Sequence, residues 1–263
     1  MTTAPLFLID ALPAGGTAVL DGPEGRHAAT VKRIRVGELV QLTDGAGGLV
    51  QAVVAVVGRD RVDLRITARQ VFAPPAPRVL LAQALVKGDR GELAVELATE
   101  AGVDGVLPWR AARCVARWEE GPRGAKALAR WRSTAREAAK QARRPWLPVV
   151  EEPVGTAALV RRVAAVDATL VLHEGAGDPL AAVDLPVSGD LLLVVGPEGG
   201  ITDGELGTLV AAGARPVRLG TEVLRASTAA AVALGALGVL TGRWGSPRCP
   251  GRVDTPTPRP LSG

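Results

Sequence analysis

Three prolines in five residues, Ala73-Pro-Pro-Ala-Pro77, divide this chain into two stretches whose hydrophobic patterns cannot belong to one sheet. Proline fixes φ and lacks an N–H, so such a run is a stiff connector, not a strand interior. Before it, Val40–Leu42, Leu49–Val57 and Arg61–Thr67 are short apolar or alternating segments. Asp44-Gly45, Gly47-Gly48 and Gly58–Asp60 separate them at hairpin spacing. Such strands close into a small barrel or curled sheet. After the prolines, strands alternate with helices. Val79–Val86, Val106–Trp109, Cys114–Val115, Thr169–His173, Leu191–Val195 and Val217–Leu219 read as strands. Gly91–Ala101 (Leu93, Leu97 and Ala101 on one face), Gly124–Arg144, Ala157–Ala165, Thr202–Ala212 and Thr228–Gly242 read as helices. That alternation predicts an α/β domain with a mostly parallel sheet covered on both faces.

The expected organisation is therefore a β domain over 1–73, a linker over 74–78, an α/β domain over 79–245 and a tail over 246–263. The tail carries five prolines in 18 residues and reads as disordered. No apolar run is long enough to span a bilayer, and the N-terminus lacks a signal-peptide pattern. Two cysteines, Cys114 and Cys249, make neither a disulfide framework nor a metal motif. These features predict a cytoplasmic protein with no metal and no membrane partner, in which Cys114 serves as a small core hydrophobe.

Charge is distributed unevenly. The net charge is +4, yet residues 110–144 hold 11 basic and 3 acidic groups, while residues 151–245 hold 6 basic and 11 acidic. At about 100° per residue, Leu128, Trp131, Ala135, Ala138, Ala139 and Ala142 fall on one side of the long helix. Lys126, Arg130, Lys140 and Arg144 fall on the other, a row suited to RNA phosphates.

The chemistry concentrates in Leu191-Leu-Leu-Val-Val-Gly-Pro-Glu-Gly-Gly-Ile-Thr-Asp-Gly-Glu205. A buried strand ends in a glycine turn, and the Thr202…Glu205 spacing is a capping-box signature for the next helix. Ligands of open α/β sheets sit beyond such strand ends. The loop is neither a Walker A motif nor a G-x-G-x-x-G fingerprint and has no lysine for a triphosphate. A second unit of this kind is Arg218-Leu-Gly-Thr-Glu-Val-Leu-Arg-Ala-Ser-Thr-Ala229, with Ser227 and Thr228 placed to cap the last helix. A third strand ends at Leu172-His173-Glu174-Gly175, and the three ends can converge on one pocket.

Gly196-Pro-Glu-Gly-Gly200 followed by Leu219-Gly-x-x-Val-Leu-Arg-x-x-Thr-Ala229 resembles the SPOUT methyltransferases, and more narrowly the 16S ribosomal RNA (uracil-N3)-methyltransferase family. His27-Ala-Ala-Thr-Val-Lys-Arg-Ile-Arg35, Arg113-Cys114, Gln141 and Arg144 are similar to further family positions, so the likeness covers most of residues 6–245. The resemblance implies a trefoil-knotted C-terminal parallel sheet, a PUA-like N-terminal domain and a homodimer. It also implies S-adenosylmethionine as cofactor and a uridine in the decoding region of 16S rRNA, within the 30S subunit, as target. It departs at Ser227, where many relatives carry an acidic residue; a mechanism needing that carboxylate does not carry over.

On this reading the cofactor is held by Leu172, His173, Val195, Gly196, Pro197, Glu198, Gly199, Gly200, Leu219, Gly220, Val223, Leu224, Arg225, Ser227 and Thr228. Arg225 orients the uracil or stabilises its negative charge. Glu198 accepts the N3 proton, neutralises the sulfonium, or is a carboxylate hydrogen-bonded to its own loop. His173 is a pocket wall ahead of a base. RNA is gripped by His27, Lys32, Arg33, Arg35, Arg113, Lys126, Arg130, Lys140, Gln141 and Arg144. Two other readings stand beside this one: a related SPOUT enzyme acting on tRNA or a ribose 2′-hydroxyl, and a non-catalytic RNA-binding or ribosome-assembly protein.

Overall fold

The glycine turns before the proline run form the hairpins they predict. In the computed structural model, which describes residues 4–245 and 251–252, β1 (Leu6–Leu8) and β2 (Thr17–Leu20) precede that ladder. The ladder itself comprises β3 (Leu39–Thr43), β4 (Gly48–Val57) and β5 (Val62–Val71), paired antiparallel in succession. β1 adds to β3 in parallel and β2 to β5 in antiparallel sense. Two register shifts, at Gln51/Ala52 and Val54/Val56, bend β4 and let the sheet curl around Phe7, Leu20, Leu42, Val54 and Leu64.

One part of this domain departs from the all-β expectation. A short helix, α1 (Gly22–Arg26), runs into a π-helical turn, His27–Val31. Pro23 starts the helix where its missing N–H costs nothing, but ten residues are too few to show a helical period.

Among the described residues, 4–74, Arg143–Trp146 and 251–252 make one unit; Pro75–Ala142 and 147–245 make the other. Most of the tail expected as disordered lies outside the described residues, although β13 (Gly251–Arg252) pairs antiparallel with β5.

The second unit contains, in order, β6 (Arg78–Ala84), α2 (Arg90–Glu100), β7 (Gly105–Arg110), α3 (Pro122–Gln141), β8 (Val149–Val150), β9 (Val154–Gly155) and α4 (Thr156–Val163). It continues through β10 (Ala168–Leu172), β11 (Asp190–Val195), α5 (Asp203–Ala211), β12 (Arg215–Val217) and α6 (Ala226–Leu240). Its sheet runs β12-β10-β11-β6-β7-β8, with β9 also on β7, and every pairing is parallel. Side chains alternate across it as the pleat demands. Leu191, Leu193 and Val195 join Val95, Trp131 and Leu234, from α2, α3 and α6, on one face. Leu192 and Val194 join Leu159 and Leu209, from α4 and α5, on the other. Burying each such leucine is worth about 1.5–3 kcal/mol, which keeps this strand, apolar on both faces, in the middle of the sheet.

Packing overrules two local expectations. Leu93 is 41% exposed; α2 buries Gly91, Ala94, Val95 and Ala98 instead, because Trp131 lies against Gly91 and small residues let the helices approach. Cys114–Val115 is not a strand: Val115 is exposed, and Cys114 ends a turn, its amide donating to Ala111 O at 3.1 Å. The Cys114 thiol packs against both apolar clusters, 3.7 Å from Trp109 O, and burial pushes its pKa up, as befits a small hydrophobe.

Candidate methyl-donor pocket

The carboxyl ends of β10, β11 and β12 lie side by side, and the loops leaving them enclose a cavity of about 730 Å³. Its walls include Leu172 and His173 at the end of β10, Val195–Gly200 from the end of β11, and Leu219, Gly220, Val223, Leu224 and Arg225 after β12. Thirteen of the fifteen residues expected to hold a cofactor are thereby brought together. The exceptions are Ser227 and Thr228. Both lie within the first turn of α6, which begins at Ala226, so neither caps it. Ser227 is buried, and the Thr228 hydroxyl donates back to Arg225 O at 3.2 Å.

The β11 loop is shaped by its glycines. Gly200 has φ +75°, in the left-handed region. A Cβ on Gly199 would lie 3.1 Å from the Arg113 Cβ and 3.4 Å from its carbonyl oxygen. The Arg113 guanidinium donates to Gly199 O at 3.1 Å. Arg113, expected on RNA, is thus a wall of the pocket. The loop ends in the capping box that its spacing predicts: Thr202 Oγ1 accepts from Glu205 N at 3.2 Å, and Glu205 Oε2 from Thr202 N at 3.3 Å.

Glu205 does more than cap. Its Oε1 accepts from Ala112 N at 2.8 Å and from Thr156 Oγ1 at 2.9 Å, and its Oε2 also accepts from Thr202 Oγ1 at 2.8 Å. Burial alone would raise its pKa; the hydrogen bonds from Ala112, Thr202 and Thr156 overcome that and hold the carboxyl below its ordinary value.

His173 Nδ1 accepts from Gly175 N at 3.1 Å, so that nitrogen is occupied in shaping the turn. Glu198 is exposed in the loop between buried Pro197 and Gly199. Arg225 precedes α6 with extended backbone (φ −66°, ψ 145°), and its side chain lines the cavity.

Several lining residues escape sequence reasoning. Arg218 donates from Nη1 to Ala176 O at 3.1 Å and to Gly177 O, holding the turn after β10. Arg90 enters from the start of α2, after the turn Lys87-Gly-Asp-Arg90, a strand–glycine–helix signal like those at the other two loops. Glu174, Asp203 and Glu222 bring the charged residues of the lining to four acidic and four basic, the rest being Glu198 and Arg90, Arg113, Arg218 and Arg225.

The expected RNA residues are more scattered. His27 opens the π-helical turn and meets Phe7 edge-on, with ring centroids 6.3 Å apart, while Lys32, Arg33 and Arg35 beyond it are exposed. Arg33 adopts φ +51°, an uncommon conformation for a non-glycine residue. The basic row along the long helix is shorter than its periodicity suggests. α3 ends at Gln141, so Arg144 lies past it, in the first unit, and is 6% exposed. Arg130 pairs with Glu92 at 3.0 Å, and Lys140, its side chain 10% exposed, pairs with Glu137 at 3.3 Å. Lys126 and Gln141 are exposed. Among the described residues no group of His, Cys, Asp or Glu is gathered as a metal site, and no helix is long and apolar enough to cross a membrane.

An acid-and-arginine-rimmed cavity with an apolar floor, at the strand ends of a parallel sheet, defines a site for a charged, partly apolar cofactor. Residues 74–238 match the RNA methyltransferase domain family, and residues 20–67 match the RNA methyltransferase PUA domain. The chain is 53% identical to ribosomal RNA small subunit methyltransferase E of Mycobacterium bovis, over 92% of this chain and 94% of that one. It is 31% identical to the protein of the same name from Synechocystis, over 91% and 77%. The crystal structure of a ribosomal RNA small subunit methyltransferase E from Neisseria gonorrhoeae bound to S-adenosyl methionine superposes with a TM-score of 0.80 at 28% identity, covering 90% of this chain and 98% of that one. The chain belongs to the ribosomal RNA small subunit methyltransferase E family. Its α/β domain is accordingly an RNA methyltransferase domain and its curled N-terminal sheet PUA-like.

Proposed function

We propose that this protein uses S-adenosylmethionine to methylate N3 of a uridine in the decoding region of 16S rRNA, acting on the 30S subunit. The observation that carries the reading is the convergence of the Gly196–Gly200 and Leu219–Arg225 loops on one cavity, in a chain with 53% identity to a family member. The residues present suit the cofactor. Leu172, Val195, Leu219 and Leu224 offer an apolar wall for adenine, and glycines at 196, 199 and 200 open the backbone for close approach. The acidic groups of the rim favour a sulfonium.

When bound, S-adenosylmethionine supplies an electrophilic methyl group. The protein must then position uracil, take its N3 proton and stabilise the resulting anion. Glu198 is the residue we assign to the proton, since His173 Nδ1 is engaged by Gly175 N. Arg225, next to the apolar wall, is assigned to the uracil oxygen that gains negative charge. The exposed Lys32, Arg33, Arg35 and Lys126, with His27 and Gln141, are assigned to the RNA backbone. Lys140 and Arg130 reach it only by leaving their glutamate partners. This reading carries with it a trefoil knot in the C-terminal sheet, a homodimer and a cytoplasmic location, where ribosomes are assembled.

Mass spectrometry of small-subunit rRNA nucleosides from a deletion strain tests the assignment. Loss of 3-methyluridine, restored by the wild-type gene, is the expected result; its persistence in the deletion strain overturns it.

A further inference from the structure

Glu205 lies outside the cavity lining, in the first turn of α5, and is 8% exposed. A capping box needs the carboxylate only to reach back to its N-cap residue. Here one oxygen does so, and the other turns away, to the Ala112 amide and the Thr156 hydroxyl, 93 and 49 residues distant in sequence. Thr156 Oγ1 in turn accepts from the buried Trp109 indole at 3.2 Å. Arg113, the residue after Ala112, holds the middle of the glycine loop through Gly199 O.

We infer that Glu205 is a positioning residue for the cofactor pocket, fastening the Gly196–Thr202 loop to the Ala112–Arg113 turn and so fixing the loop's shape before ligand arrives. The inference rests on the pocket being the S-adenosylmethionine site. The loop is pinned twice, at Thr202 by Glu205 and at Gly199 by Arg113, and both pins trace to adjacent residues of one turn. A flexible glycine loop pays an ordering cost on binding, which pre-organisation removes. The negative charge is essential to this arrangement. Four donors face two carboxylate oxygens, whereas glutamine offers one accepting oxygen and turns an NH₂ group toward donors.

The test combines amide hydrogen exchange of residues 196–202 in the ligand-free protein with calorimetric S-adenosylmethionine affinity, for wild type, Glu205→Gln and the milder Thr156→Val. Glu205→Gln is expected to speed loop exchange and raise Kd about tenfold, a change of 1.4 kcal/mol. Thr156→Val should move both readouts the same way by about two- to threefold, less than Glu205→Gln because three of the four donors to the carboxylate remain. Glu205→Gln that folds with wild-type loop exchange and a Kd within twofold overturns the inference. So does a Glu205→Gln that fails to fold together with a Thr156→Val that leaves both readouts unchanged. A wild-type protein that does not bind S-adenosylmethionine sinks the cofactor reading, and the ligand-free exchange data then still decide whether Glu205 holds the loop.

Discussion

The Arg113 guanidinium donates a 3.1 Å hydrogen bond to the carbonyl of Gly199, tying the turn after β7 to the loop after β11. The backbone of Gly199 can accept that contact because it has no Cβ; one would lie 3.1 Å from the Arg113 Cβ. Gly199→Ala is therefore expected to weaken S-adenosylmethionine binding by about tenfold, and Arg113→Ala by several-fold, because each releases the loop that the other holds. Calorimetric titration checks both; unchanged affinity in Gly199→Ala would show that the loop has slack to absorb a methyl group.

Arg225 lines the cavity from the N-cap position of α6, where its carbonyl accepts from Thr228 N and Ala229 N while its side chain makes no cap hydrogen bond. Arg225→Ala should lower kcat by about 10²–10³, the usual cost of removing one group that stabilises developing charge. Cofactor affinity should change less than threefold. Single-turnover methylation of 30S subunits, alongside calorimetry, separates the two quantities. A full methylation rate in the variant would remove Arg225 from the chemistry.

Arg243 and Asp104 form an ion pair at 2.8 Å with side chains 11% and 6% exposed. Asp104 Oδ2 also accepts from Val79 N at 2.8 Å, and Arg243 donates to Gly102 O at 2.8 Å and to Pro77 O. The end of α6 is thereby clasped to the start of β6 and the turn before β7. Asp104→Ala leaves the guanidinium buried without its carboxylate and should cost about 3–5 kcal/mol. A urea midpoint close to wild type would contradict this.

The Glu205 carboxyl is held below its ordinary pKa. A depressed carboxylate contributes stability that is fully present above the unfolded-state pKa, about 4.3 for glutamate, and is lost as pH falls through the folded-state value. Acid unfolding of wild type should thus include a contribution below about pH 4 that Glu205→Gln lacks. Denaturation midpoints measured at pH 7 and pH 3.5 give the comparison: the gap between variant and wild type should narrow at the lower pH. A constant gap would locate the effect in packing, not in charge.

Lys126 and Arg144 share one face in the helical projection but differ in surroundings. Lys126 is exposed on α3; Arg144 is buried beyond its end. Lys126→Ala should reduce the slope of RNA affinity against salt by about one and leave Tm unchanged. Arg144→Ala should lower Tm. Salt-dependent binding to 30S subunits and thermal denaturation measure the two effects, and the reverse pattern would place Arg144 on the RNA.

Much of this architecture is local and so was readable along the chain. Leu191–Val195 is apolar on both faces and had to be an interior strand; Thr202 and Glu205 are three residues apart and had to cap a helix. The hairpins of the first domain follow from glycines spaced between alternating segments. The two loops of the pocket were recognisable because their motifs are contiguous, and thirteen of the fifteen residues expected to hold the cofactor, eleven of them on these loops, line the cavity.

What the chain did not disclose depends on contacts between distant segments. Helical periodicity places Arg144 with Lys126, but it cannot tell where α3 stops, and the stop buries that arginine. Leu93 looked like a core residue until packing against Trp131 favoured the smaller face of α2. Ser227 and Thr228 belong to the right motif, yet in the first turn of α6 it is Ala226 and Ala229 that line the cavity. Arg113 was recognisable as important, but its bond to Gly199 spans 86 residues, and the bond from Ala112 to Glu205 spans 93. Sequence by itself determined the elements and the motifs, because turns, caps and apolar periods act over a few residues. Only the tertiary structure decided which charges are spent on holding the pocket together and which stay exposed to solvent, because that depends on which strand ends the parallel sheet sets side by side.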